Sequence, residues 1–285
     1  MAQVNINGLV SVESRTYTEN PAEQGQIDQQ FSFVIEPEFY MDWNDGADSL
    51  IIKPFIRFDS EDNKRSHFDI REFNWLHLTD NWEFKAGIGK VFWGVTESQH
   101  LVDVINQVDE VEAPDGEVKL GQLMLNLRFF SEWGTFSGFI LPQFRERTLP
   151  GLKGRLRAPS IVDTEVVLYE STDKENHLDF SLRWSHSVAD FDFGLHYFNG
   201  INRDPKIVLN PTTLFTDYAI YYNQMKQVGL DLQATIDGVL YKIEAIHRRE
   251  AENFTAYTAG FEYTFFGIVD ERHDVSFLLE YFVPA

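Results

Sequence analysis

The sequence contains no cysteine. Disulfides, thiolate metal sites and cysteine nucleophiles are therefore excluded, and the absence is unremarkable for a chain exported through an oxidising periplasm. No apolar run approaches the roughly 18 residues that a membrane-crossing helix requires, so helical spans are excluded too. Basic residues are scarce: 24 Lys and Arg stand against 45 Asp and Glu, giving a net charge of −21 at pH 7 and a pI near 4.7. A phosphate backbone needs a dominant basic face, which argues against nucleic acid as a partner. No Pro/Ser-rich linker or shift in composition divides the chain, which reads as one domain over residues 1–285. The start, "MAQVNINGLV", has no charged or apolar leader region. "AQ" is the kind of beginning that signal-peptide cleavage leaves, and the expectation is that Met1 stands where a leader was removed.

What the sequence does have is aromatic residues: 25 Phe, 11 Tyr and 6 Trp, 15% of the chain, alongside 24% charged residues and a mean hydropathy of −0.29. The two populations alternate. In "LDFSLRWSHSVADFDFGLHYF", Leu178, Phe180, Leu182 and Trp184 interleave with Asp179, Ser181, Arg183 and Ser185. After a short turn, Phe191, Phe193, Leu195 and Tyr197 interleave with Asp192, Gly194 and His196. Successive residues of a strand point to opposite faces, so each such segment has one apolar and one polar side. The same pattern runs through "VNINGLVSVESR", "FSFVIEPEFYMDW", "IIKPFIRF" and "GLDLQATIDGVLYKIEAIH", the last of these turning on Asp237-Gly238, a strong two-residue hairpin signal.

The alternation predicts thirteen strands, at about 3–17, 29–43, 50–59, 67–79, 82–93, 120–131, 135–145, 177–187, 190–199, 224–236, 239–249, 254–266 and 274–283. Connections after even-numbered strands are short ("NDGADS", "DN", "VAD", "DG"). Those after odd-numbered strands include the longest, at residues 94–119, 146–176 and 200–223. Tight turns at one end and long loops at the other are the mark of an outer-membrane barrel. The fold class expected is therefore all-β: an antiparallel up-and-down transmembrane β-barrel with no plug domain, since strand pattern begins within the first few residues. Thirteen is odd, whereas bacterial single-chain barrels use even numbers. The expected closed form has 14–16 strands, either through a strand hidden in 200–223, where "DYAIYYNQ" is the candidate, or because the chain is C-terminally truncated. A soluble β-sandwich or solenoid also alternates, but it would show shorter strands and fewer aromatics at its apolar positions.

The stretches "WEFKAGIGKVFWGVTESQHLVDVINQVDEVEAPDGEVKLGQLMLNL", "FRERTLPGLKGRLR" and "QVGLDLQATIDGVLYKIEAIHRRE…GFEYTFFGI" resemble an uncharacterised group of porin-like outer-membrane barrel proteins of Gram-negative bacteria. The resemblance covers most of residues 80–285. It implies a barrel in the outer membrane and supplies neither a substrate nor catalytic residues. Members of the group are longer at the C-terminus, which fits truncation.

Two charged segments stand out as candidate functional elements. "GVTESQHLVDVINQVDEVEAPDGEV" carries seven carboxylates, including Asp103, Asp109, Glu110 and Glu112, and no Lys or Arg. Its "SQHLVDVINQ" is expected to form a short amphipathic helix capped by Ser98, with Leu101, Val104 and Ile105 on one side, folding over the mouth or into the lumen. The bland alternative is a solvated acidic loop. A calcium site at Asp109, Glu110, Glu112 and Asp115 is conceivable, although the spacing is not that of an EF-hand. "QFRERTLPGLKGRLR" brings Arg145, Arg147, Lys153, Arg155 and Arg157. Arginines facing carboxylates across a narrow lumen would form a charged constriction. They would otherwise bind lipopolysaccharide or pair directly with the acidic loop.

The lumen wall is expected to carry Glu36, Glu38, Lys53, Arg57, Asp69, Arg71, Lys85, Arg128, Asp179, Arg183, Asp231, Lys242, Glu244 and Glu262, with Glu13, Arg15 and Glu83 beside them. Neighbouring strands mix both signs, so many of these should pair across strands. The function expected is passive diffusion of small hydrophilic solutes or ions through an outer-membrane channel with a mild cation preference. No enzyme chemistry, cofactor or metal is required. Lipid and lipopolysaccharide would be partners, and a homo-oligomer is open. Two alternatives are an outer-membrane barrel enzyme of lipase or protease type, with His100–Asp103 or His273–Asp274 as parts of a dyad, and a structural or adhesive barrel without transport.

Overall fold

Residues 3–157, 162–213, 217–268 and 272–284 are described by a computed structural model. Thirteen strands form one sheet in which every neighbouring pair is antiparallel. In order they are β1 (Gln3–Thr16), β2 (Gln29–Trp43), β3 (Asp48–Asp59), β4 (His67–Leu78), β5 (Trp82–Gly89), β6 (Gln122–Ser131) and β7 (Gly134–Leu141). Then come β9 (Asp179–Val188), β10 (Phe191–Ile201), β13 (Gln224–Ile236), β14 (Val239–Arg249), β15 (Phe254–Phe265) and β16 (Val275–Pro284). The remaining three, β8 (Val162–Tyr169), β11 (Lys206–Leu209) and β12 (Tyr218–Tyr222), build a small separate sheet inside the long connections. "DYAIYYNQ" thus does contain a strand, β12, but it pairs parallel with β8 and antiparallel with β11 and adds nothing to the large sheet.

Alternation becomes two faces because the register holds. In the β9–β10 hairpin, Leu182 lies opposite Tyr197 and Trp184 opposite Leu195, while Ser181 lies opposite Phe198 and Arg183 opposite His196. Asp179, Ser181, His196 and Phe198 are buried inside, whereas Phe180, Leu182, Phe191 and Leu195 are exposed on the outside. Phe31, Phe33, Phe58, Phe68, Leu127, Phe129, Tyr257 and Phe277 extend this exposed apolar face round the sheet. The Asp237-Gly238 turn takes φ of 51° and 80°, the left-handed pair that a two-residue hairpin of this twist demands. On the β3–β4 ladder the register shifts between Lys53 and Pro54, whose partners are Glu72 and Ile70, so Arg71 is the extra residue of a bulge.

The sheet must be curled. A flat sheet with strands ~4.8 Å apart would set β5 and β14 about 29 Å from each other. Six residues of extended chain after Gly89 reach only about 20 Å, to which a glutamate side chain and its hydrogen bond add about 7 Å. Yet the backbone amides of Val95 and Thr96 donate to Glu244 of β14 at 2.8 and 3.0 Å. The wall therefore bends round the loop that leaves β5, which is the geometry of a barrel. Among the described residues no ladder joins β1 to β16, which run in the same direction, so the 14–16 strands expected for a closed cylinder are not reached within them. No helix of the described residues is long and apolar enough to cross a membrane.

Some strand ends differ from the sequence-based boundaries. β5 stops at Gly89 rather than 93, because the chain turns inward and Val91 N donates to Asn106 Oδ1 at 2.9 Å. β7 stops at Leu141 rather than 145, where Arg145 leaves the wall to meet Asp69.

The outward face generates a test. An arginine in place of an outward residue near mid-strand should lower folding stability in a bilayer by about 2–4 kcal/mol. Leu182→Arg is expected to do so in urea titrations of vesicle-folded protein, while Ser185→Ala, half-buried on the inner face of the same strand, stays within about 1 kcal/mol of the parent.

Candidate functional site

Residues 90–121 leave the wall after β5, cross the lumen and return at β6. Their apolar side chains explain the inward turn. Val102, Val104 and Ile105 are buried against Met124, Phe139, Leu141, Phe198, Met225, Ile246 and Ala256, which project inward from β6, β7, β10, β13, β14 and β15, and Trp93 completes this cluster. The loop's own hydrophobics thus have an apolar seat inside a polar lumen, worth roughly 1.5–3 kcal/mol for each large side chain fully buried.

The expected helix over "SQHLVDVINQ" does not form. The segment runs as turns: Leu101 N donates to Gln99 O and Asp103 N to His100 O, while wall carboxylates take Ser98 N and Val102 N. Glu244, wholly buried, accepts from Val95 N (2.8 Å), Thr96 N (3.0 Å), Thr96 Oγ1 (2.8 Å) and Val102 N (3.2 Å). Glu280 of β16 accepts from Glu97 N and Ser98 N at 2.9 and 2.7 Å. Lys242 adds an ion pair to Glu97 at 2.8 Å. Gly94 makes the close approach possible: it sits at φ 136°, and a Cβ there would stand 2.8 Å from Glu244 Oε1.

The carboxylates proposed for calcium diverge. Asp109 pairs with Arg71 (2.6 Å), Glu110 with Arg147 (3.1 Å), and Glu112 forms a two-point bridge to Arg57 (2.5 and 2.7 Å), while Asp115 accepts the Glu117 amide. With each bound to a different partner, they cannot converge on a cation, and no cluster of three or more metal-ligating side chains occurs among the described residues. Asp103 is buried with Lys119 at 3.2 Å, and burial pushes its carboxyl above the usual range against the pull of that lysine.

The Arg-rich segment divides in two. Arg145 and Arg147 reach inward: Arg145 binds Asp69 at 2.9 Å, and Arg147 binds Glu110, Gln107 and Asp204. Lys153, Arg155 and Arg157 stay at the long-loop rim. Lys153 meets Glu61 at 3.5 Å, Arg155 meets Asp28 and lies over the Tyr17 ring, and Arg157 donates to Leu152 O. Acid and base therefore touch directly inside the lumen rather than facing each other across a gap.

Several of the wall residues expected in the lumen pair with one another across strands. Lys53 neighbours Glu36 and Glu38 (3.4 and 3.7 Å), Arg128 pairs with Glu83 (3.3 Å), Arg183 with Asp231 (2.7 Å) and Lys242 with Glu262 (3.4 Å), with Lys85 opposite Asn126 on the same face. Removing one partner of a buried pair costs about 3–5 kcal/mol, since the other charge is left without compensation. Sequence reasoning missed Arg203, Asp204 and Arg248. Arg203 binds Asp179 at 2.5 Å, and Asp204 bridges Arg147 and Arg248 at 2.9 and 3.3 Å. The signal was available in "GINRDP", a charged pair directly after an inward-facing strand end.

Cavities lie on both sides of the loop. One of about 450 Å³ opens toward the short-turn end, lined by Val95, Thr135, Arg183, Ser185, Asp231 and Gln233 among others. Another of about 170 Å³ lies between the loop and the wall, lined by Asp103, Arg147, Arg203, Asp204 and Arg248 among others. The His100 ring bonds Glu117 at 2.9 Å rather than Asp103, and Asp274 accepts the Gly267 amide.

No protein-family profile and no curated protein matches the sequence, so the resemblance of residues 80–285 to a porin-like group gains no support from either comparison. Among solved structures, the chain is similar to a loop-deletion form of OmpT, an outer membrane protein of Vibrio cholerae, with 11% identity, a TM-score of 0.40 and coverage of 100% of this chain and 94% of that one. It is similar to OmpF of Salmonella typhi, with 11% identity, a TM-score of 0.39 and coverage of 98% and 89%. A third is the outer membrane channel DcaP of Acinetobacter baumannii, with 9% identity, a TM-score of 0.40 and coverage of 99% and 79%. Likenesses this distant assign no residue a role.

The Glu244 anchor is testable. A hydrogen bond to a charged acceptor contributes about 1.5–3 kcal/mol, so Glu244→Ala should speed hydrogen exchange at Val95, Thr96 and Val102 by about tenfold or more. Exchange in the β9–β10 ladder should not change.

Proposed function

We propose that the protein is a porin-like channel of the bacterial outer membrane for passive diffusion of small hydrophilic solutes or ions. The observation that supports this most is the loop of residues 90–121, seated inside a curled sheet by Glu244 and Glu280 with polar cavities on either side. An anchor or adhesin has no need of a narrowed polar interior. Passage requires no bond chemistry, so no nucleophile, cofactor or metal enters the proposal. Selectivity follows pore width and fixed charge. With 45 acidic against 24 basic residues, the mouth concentrates cations, which enter more readily than anions. Under this reading lipid covers the outward aromatic rows, lipopolysaccharide meets Lys153 and Arg157 at the rim, and a second copy is a candidate neighbour on the outward face.

Planar bilayers supply the test. Purified protein is expected to insert in discrete conductance steps, with a reversal potential in a KCl gradient on the cation-selective side. Folded protein that inserts without conductance would contradict the channel. Hydrolysis of lipid or peptide that disappears on replacing His100 or His273 would favour the enzyme instead.

A further inference from the structure

Among the described residues, the outward face of the large sheet carries two basic side chains, Lys226 of β13 and Arg249 of β14. Every other Lys or Arg of its strands stands on the opposite, polar face. Parity fixes the assignment. Gln227 and Arg248, their neighbours in sequence, are buried and joined at 2.8 Å, whereas Val228, two residues on from Lys226, is 52% exposed.

Lys226 and Arg249 lie directly opposite each other, at the long-loop ends of their strands. Side chains so placed start about 5 Å apart, and like charges there repel. Neither forms an ion pair among the described residues. The loops above them do hold acids, but these are turned elsewhere: Glu170 accepts the Gln224 amide at 2.6 Å, and Glu250 pairs with Lys206 at 3.0 Å. Glu252, on the turn after β14, makes no ion pair with either cation. In a chain of net charge −21 an acidic neighbour could have relieved the repulsion, and none does.

The surroundings of the pair are graded. Asn199 of β10 stands opposite Lys226 and continues the row as a neutral donor. One pair closer to mid-strand come Tyr197, Val228, His247 and Thr255, the last two joined at 3.0 Å. The row after that is Leu195, Leu230, Ala245 and Tyr257. The face therefore passes from cationic through amphipathic to apolar, which is the order of headgroup, linkage and acyl chain in a lipid.

We propose that Lys226, Arg249 and Asn199 form a site for the phosphate of an outer-leaflet glycolipid, whose acyl chains lie along the apolar rows below. The inference rests on the outer-membrane reading above, in which the long loops face away from the cell, and adds a lipid site to it. A phosphate between the two cations replaces their repulsion by charge-assisted contacts. The guanidinium supplies a planar fork and the ammonium a point charge. Basic side chains are costly at the middle of a bilayer and cheap at its edge, which is where strand ends lie.

Diphosphoryl lipid A is the probe, with its dephosphorylated form and inorganic phosphate as controls. Native mass spectrometry of detergent-folded protein should show diphosphoryl lipid A retained, and the dephosphorylated form held about tenfold less. The double variant Lys226→Gln/Arg249→Gln should lose retention by about tenfold or more, while conductance in KCl stays as in the parent. Lys226→Arg keeps the charge and should retain the lipid. Urea unfolding gives a second readout. In phosphatidylcholine vesicles Arg249→Gln should be no less stable than the parent, since a repulsion has gone. Added lipid A should then raise the parent's midpoint more than the variant's. Equal retention by the double variant, equal retention of the dephosphorylated lipid, equal midpoint shifts, or displacement by an equal concentration of inorganic phosphate would overturn the site. Lipid A retained without conductance would keep the site and remove the channel, whereas conductance without retention would do the reverse. Protein that enters no vesicle would remove both.

Discussion

One constraint runs through the large sheet: the middle of a face that touches hydrocarbon holds no charge, so charge at mid-strand lies on the other face, and outward charges such as Lys226 and Arg249 stand at strand ends. Phe, Leu and Tyr rows leave β9 and β10 no choice about which way Asp179, Arg183 and His196 point. The same rule, applied thirteen times round a curled sheet, concentrates ionisable groups in a confined interior. Backbone amides inside hydrocarbon need internal partners as well, which is why antiparallel ladders rather than loops form the wall.

The crowded interior sets the remaining architecture. Charges that cannot leave must be neutralised where they stand. Arg57, Arg71 and Arg147 each find a carboxylate on the acidic loop, while Lys242 and Glu244 anchor its opposite end. The loop is thus held at both sides of the lumen, and its apolar middle covers the inward-facing hydrophobics of β6, β7, β10 and β14. A pore narrowed by its own counter-ions follows from composition and alternation together.

The wall was legible in the sequence because its signal is local. Period two, Asp237-Gly238 and the unequal connection lengths gave thirteen strands, and the structure has thirteen in the large sheet. The polar face of each strand was legible for the same reason, since parity along a strand decides the face. What the loops do was not legible. β8 pairs with β12 across some fifty residues of sequence, and no local pattern reveals such a partner. The loop segment around Leu101 reads as an amphipathic helix when only its apolar spacing is considered. Glu244 and Glu280, far away in sequence, take the Val102 and Ser98 amides, and of these Val102 N is the one a helix starting at Ser98 would have used. Arg203 and Arg248 were passed over because their meaning depends on which loop lands beside them.

The central claim is that the aromatic face touches lipid and the opposite face does not. Trp184 lies on the outer face of β9, and Trp93, on the loop that leaves β5, is buried in the interior cluster. Single-tryptophan variants that keep one or the other can be folded into vesicles of brominated lipid. Strong quenching of Trp184 with little quenching of Trp93 is the predicted result. Equal quenching of the two, or an unquenched Trp184 in protein that stays monodisperse without detergent, would contradict it.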